Sequence, residues 1–186
     1  MIRVIKGHTY LRWRGTVDTL AAVLRAVHPG WDPRGMATWA RWTVLRVQRR
    51  YVDALTMLAS SGIELSRDSF VYQPTVLLRA QSYEALGDRA KARTYYEAAK
   101  SMLADSVAAH PADASIRVVL GLAQAALGNK AAAVREARRA MEFVPLSQSS
   151  LGATAFMAFL RIWPGFDPLR GDARFDQLLA RFAPTG

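Results

Sequence analysis

The sequence predicts an all-α fold: a right-handed superhelical solenoid of antiparallel helix pairs, with degenerate first and last units. Three observations predict it. Apolar and small residues recur at three- and four-residue spacing over most of the 186 residues, the period of amphipathic helices. Leu-Gly-polar turns stand at Gly87 and Gly128, 41 residues apart. Weaker copies upstream put Gly15 and Arg49 at the same point, so the anchors are spaced by 34, 38 and 41 residues. Spacings in this range mark stacked helical hairpins.

The first unit, 1–34, keeps Gly15 and a helix carrying Val17, Leu20 and Leu24. It ends in "PGWDPRG", 29–35. Pro-Gly closes a helix there, Asp32 is expected to cap the next one, and Pro33 suits its first position. Trp31 is spaced to staple onto Met36. The second unit, 35–72, carries Trp42 and Leu45 before the turn and Tyr51, Ala54 and Leu58 after it. Arg49 replaces the turn glycine, and "SSGIELSRDSFVYQP", 60–74, reads as a long loop.

The third unit, 73–113, is the clearest. In "LLRAQSYEALGDRAKARTYYEAAK", 77–100, two helical patterns flank a turn at Gly87, which suits the left-handed residue that ends a helix. The second helix is expected to be long, about 89–109, with Pro111 just beyond it. The fourth unit, 114–147, repeats the plan through Leu120, Gly121, Gly128, Ala133, Ala140 and Pro145. Residues 148–186 hold two further apolar helical patterns and a second phrase, "PGFDPLRG", 164–171, which reads as C-terminal capping helices and the turn between them. The whole chain is thus expected to form one domain.

These residues resemble the tetratricopeptide repeat. The match lies in Ala80, Tyr83, Gly87, Ala92, Tyr96 and Ala99, and in Leu120, Gly121, Leu127, Gly128, Ala133, Ala140 and Pro145. It covers about residues 10–145. The "FDPLRGD" ending is similar to the tails of repeat regions in bacterial signalling proteins. The resemblance implies a non-enzymatic protein-binding module in a bacterial signalling or assembly system. It implies a concave groove lined by Trp39, Thr43 and Arg46, then Leu77, Gln81 and Glu84, then Val118, Leu122 and Ala125. An apolar peptide or amphipathic helix of another protein would occupy it. The basic clamp residues of family members that hold peptide carboxylates are missing at these positions.

Composition narrows the classes. Net charge is +10, and residues 1–50 hold ten Lys or Arg against Asp18 and Asp32. Arg41, Arg46, Arg49 and Arg50 interleave with Trp39 and Trp42. Such a patch suits a protein interface, and a nucleic-acid-binding helical repeat is the alternative expectation. There is no Cys, hence no disulfide or thiolate ligand. His8, His28 and His110 are scattered, and neither a metal nor a cofactor is expected. No Gly-x-Ser-x-Gly elbow or phosphate-binding glycine loop occurs, so no enzyme is expected. Asp172 and Asp176 stand at i, i+4 on one expected helix, a spacing that could suit acid–base work, but Asp172 reads first as the N-cap of that helix. No apolar run reaches a membrane span and no secretory signal pattern is present, so a cytoplasmic protein is expected. The apolar face of the first unit is expected to need a cap or a homodimer partner.

Overall fold

The computed structural model describes residues 17–28, 32, 34–67 and 72–143, with 173 and 177 as isolated helical positions. The described residues are mostly helical, in the order α1 (Asp18–Arg25), α2 (Met36–Val47), α3 (Tyr51–Ser60), β1 (Leu65–Arg67), β2 (Tyr72–Pro74), α4 (Thr75–Ala85), α5 (Arg89–Ala109), α6 (Ala114–Ala126) and α7 (Lys130–Phe143). Each helix packs against the next one in sequence. None of the described helices is long and apolar enough to cross a membrane. Gly15, Trp31, Pro33, Pro145, the phrase at 164–171, Asp172 and Asp176 lie outside the described residues, as do the expected capping helices of 148–186 apart from positions 173 and 177.

Three turns of one construction join α2 to α3, α4 to α5 and α6 to α7. Arg49, Gly87 and Gly128 have φ of +58°, +78° and +84°. In each, the left-handed residue donates its N–H to the carbonyl three back, and the next residue donates to the carbonyl five back. The latter bonds are Arg50 to Leu45 (2.8 Å), Asp88 to Tyr83 (3.0 Å) and Asn129 to Gln124 (2.9 Å). This double closure satisfies carbonyls that a helix end leaves open. Glycine adopts positive φ without a steric penalty; Arg49 adopts it against its side chain's preference.

Helix starts use carboxylates. The Asp88 side chain accepts from Lys91 N–H (3.0 Å) at the start of α5. Asp113 accepts from Ser115 and Ile116 N–H, at 2.9 and 3.3 Å, at the start of α6. Asp32 also caps, but not in the expected geometry. The helix begins at Met36, with Gly35 as its capping residue at φ +68°. Asp32 therefore reaches across a turn to accept from the N–H of Ala37 and Thr38, both at 2.8 Å, and from the Thr38 hydroxyl at 2.6 Å.

The expected loop at 60–74 is a correction: it contains a two-stranded antiparallel ladder pairing Leu65 with Pro74 and Arg67 with Tyr72. Its anchor is Gly35. The Ser66 hydroxyl donates to Gly35 C=O at 2.7 Å, and Arg67 N–H donates to Arg34 C=O at 2.9 Å. A Cβ on Gly35 would sit 2.6 Å from Ile63 and 2.8 Å from the Leu65 carbonyl oxygen. Only a residue without a side chain lets the hairpin lie this close.

Three apolar clusters follow the chain. Leu20 and Leu24 of α1 pack on Ala37, Ala40 and Val44 of α2. Trp42, Ala54, Leu58 and Leu78 join α2, α3 and α4. The largest joins α4, α5 and α6 through Leu77, Ala80, Ala92, Tyr96, Ala99, Leu103, Ile116 and Leu120. Small residues set helix separation here: a Cβ on Gly121 of α6 would already touch the Ala133 carbonyl oxygen of α7 at 3.4 Å.

Candidate functional site

The candidate surface is the series of faces presented by α2, α4 and α6. At its α2 end, side chains are drawn inward. The Thr43 hydroxyl donates to Trp39 C=O at 2.9 Å, and Trp39 packs half-buried against the Trp42 cluster. Trp42 itself is buried, and its indole N–H donates to the Ser82 hydroxyl of α4 at 3.0 Å. Arg46 lies with its guanidinium carbon 5.4 Å from the Trp42 ring centroid and donates to Gln81 C=O at 2.8 Å. Burial pulls this guanidinium below its ordinary pKa, while Tyr96, Tyr51 and Glu84 oppose the shift. An arginine keeps its charge through such a change.

On α4, Gln81 is half-buried and Glu84 exposed. Glu84 accepts from the Tyr96 hydroxyl of α5 at 2.7 Å. Burial, and then the hydrogen bond to Glu84, push the Tyr96 hydroxyl far above the usual phenol range. The phenol is therefore a fixed donor, since the ionised form would face a carboxylate.

Several expected groove residues need correction. Leu77 is 0% exposed and contributes to the core between α4, α5 and α6. Thr43 and Arg46 are buried as well, so they shape the surface from beneath. Along α6 the situation reverses. Val118 and Leu122 are 49% and 48% exposed, and Ala125 is exposed. Ile116, Val119, Leu120 and Ala123 of the same helix are buried. Val118 and Leu122 stand one helical turn apart and form an apolar strip. Covering them contributes on the order of 2 kcal/mol, as each side chain is already half withdrawn from water.

The basic patch does not gather on one face. Arg41 reaches back to Val27 C=O, two residues past the end of α1, at 3.5 Å. Arg50 pairs with Asp53 at 2.6 Å, both exposed. Arg49 holds the left-handed turn position. These arginines engage local partners and helix ends, which reduces the charge available to a phosphate backbone.

Cationic residues outside the expected patch lie on α5 and α7. Glu136 of α7, between Arg135 and Arg138 in sequence, turns toward α6 and pairs with Arg117 at 2.8 Å, the two side chains 15% and 8% exposed. Arg117 also donates to Pro111 C=O at 2.9 Å. The signal that could have found this is Arg117 itself, a charge set among the apolar positions of α6 and in need of a buried counter-ion.

Compared with protein-family models, with curated proteins and with solved structures, the chain matches none.

Proposed function

We propose that the chain is a tetratricopeptide-type helical-repeat module that binds another protein and carries out no chemistry of its own. The partner element is an amphipathic helix or an extended apolar peptide laid along the α6 face. The observation that carries this reading is the exposed pair Val118 and Leu122 on a helix whose remaining large apolar residues are buried. Support for the repeat comes from the three equivalent turns at Arg49, Gly87 and Gly128. A right-handed superhelix of stacked hairpins is the arrangement proposed for them. The proposed setting is a bacterial signalling or assembly system, on the resemblance of the "FDPLRGD" ending.

Nucleic-acid binding through the N-terminal arginines is the weaker reading, because Arg41, Arg46 and Arg50 are held by Val27, Gln81 and Asp53. Titrations at two salt concentrations separate the two. Binding of an apolar-faced helical peptide that holds constant from low to high salt supports the protein-binding reading. RNA or DNA binding that falls steeply with salt and is lost in Arg41→Ala/Arg50→Ala supports the other.

A further inference from the structure

We propose that the open depression where α7 begins beside α5 is a binding site for a small ligand carrying a multiply charged phosphate group. The depression has a volume of about 680 Å³. Its three ionisable lining residues, Lys100 of α5 and Lys130 and Arg135 of α7, are all cationic. Gln124 and Asn129 supply amide groups to the same wall, and they are mutually oriented by a bond from Asn129 Nδ2 to Gln124 Oε1 at 2.8 Å.

The charge balance comes from how α7 is seated. The helix carries Lys130, Arg135, Arg138 and Arg139 against Glu136 and Glu142. Glu136 is withdrawn into its pair with Arg117 and cannot neutralise the surface. One carboxylate acts nearby: Glu97, one turn away on α5, pairs with Lys100. Lys130 and Arg135 both remain exposed. Lys130 and Arg135, with Lys100 partly offset by Glu97, gain most from a single polyvalent anion. The arginine adds two-point recognition of phosphate oxygens, which a lysine does not provide. The depression is shallow and open to solvent, and its volume falls within the size range of small-molecule sites. Its cations gather within the first two turns of α7 and at one position of α5, which suits a compact phosphorylated molecule.

The probe is inorganic pyrophosphate, titrated calorimetrically into the full chain at low salt. Saturable binding is expected, weakened at least tenfold in Lys130→Ala/Arg135→Ala and unchanged in Arg25→Ala, which removes an exposed cation from α1. Far-UV circular dichroism of each variant keeps a folding defect distinct from a binding defect. A single-stranded oligonucleotide of singly charged phosphodiesters forms the second arm and should bind more weakly per phosphate. Absence of saturable pyrophosphate binding overturns the proposal. So does pyrophosphate affinity that the double variant leaves intact, or oligonucleotide affinity exceeding that for pyrophosphate at equal phosphate concentration.

Discussion

The indole N–H of Trp42 donates to the Ser82 hydroxyl at 3.0 Å, forty residues along the chain. Ser82 in turn donates to Leu78 C=O at 2.8 Å. With the bond from Arg46 to Gln81 C=O, this relay ties α2 to α4. Ser82→Ala removes the indole's acceptor inside a buried contact, and a loss of roughly 1–3 kcal/mol is expected. Urea denaturation checks it, with Ser101→Ala on the exposed face of α5 as the near-neutral control.

The Arg49 turn yields a prediction that separates backbone from side chain. Arg49→Gly and Arg49→Ala both delete the side chain, but only alanine still resists a φ of +58°. The glycine variant should exceed the alanine variant by about 1 kcal/mol in denaturant unfolding. Equal stabilities would mean that the turn relaxes to another conformation.

Gly35 and Gly62 make a matched pair. Their φ values are +68° and +64°, so alanine meets the same backbone penalty at both. An added Cβ has no neighbour within 4 Å at Gly62, whereas at Gly35 it meets the hairpin at 2.6 to 2.8 Å. Gly62→Ala should cost about 1–2 kcal/mol. Gly35→Ala should cost clearly more and loosen the β1–β2 hairpin, measured as faster amide hydrogen exchange at Arg67, whose N–H bonds to Arg34.

Alkaline stability should depend on Tyr96. A phenol whose folded pKa is raised contributes stability that is complete below the unfolded value of about 10 and is lost as pH climbs through the folded value. The raised value at Tyr96 follows from burial and from donation to Glu84. Tyr96→Phe should therefore flatten the decline in melting temperature above pH 10. A decline of the same slope in the variant would assign it to other tyrosines.

Much of the helical skeleton is legible from local residues. The long helix at Arg89–Ala109 follows from an unbroken apolar period between an Asp cap and a proline. The turns at Gly87 and Gly128 follow from the glycines themselves, and Arg49 from its register with them. The hairpin was not legible because three-residue strands are too short for alternation to register. It is held by a contact with Gly35, some thirty residues earlier. Position in a repeat places Leu77 in the groove, yet helix rotation decides which face is covered: Leu77 lies in a buried cluster with Tyr96 of the facing helix and Ile116 of the next unit. The Glu136 pair was not legible for a related reason: its partner, Arg117, lies nineteen residues back on α6.

Binding of a partner helix to the strip on α6 can be measured with a displayed library of amphipathic helical peptides. It is selected on the wild-type chain and counter-screened on Leu122→Asp, a substitution at a half-exposed site. Enrichment of peptides with one continuous apolar face is expected, with at least a tenfold loss of affinity in the variant while its helical circular dichroism is unchanged. Selected peptides that bind Leu122→Asp as tightly as wild type, or enrichment of sequences without an apolar face, would contradict it.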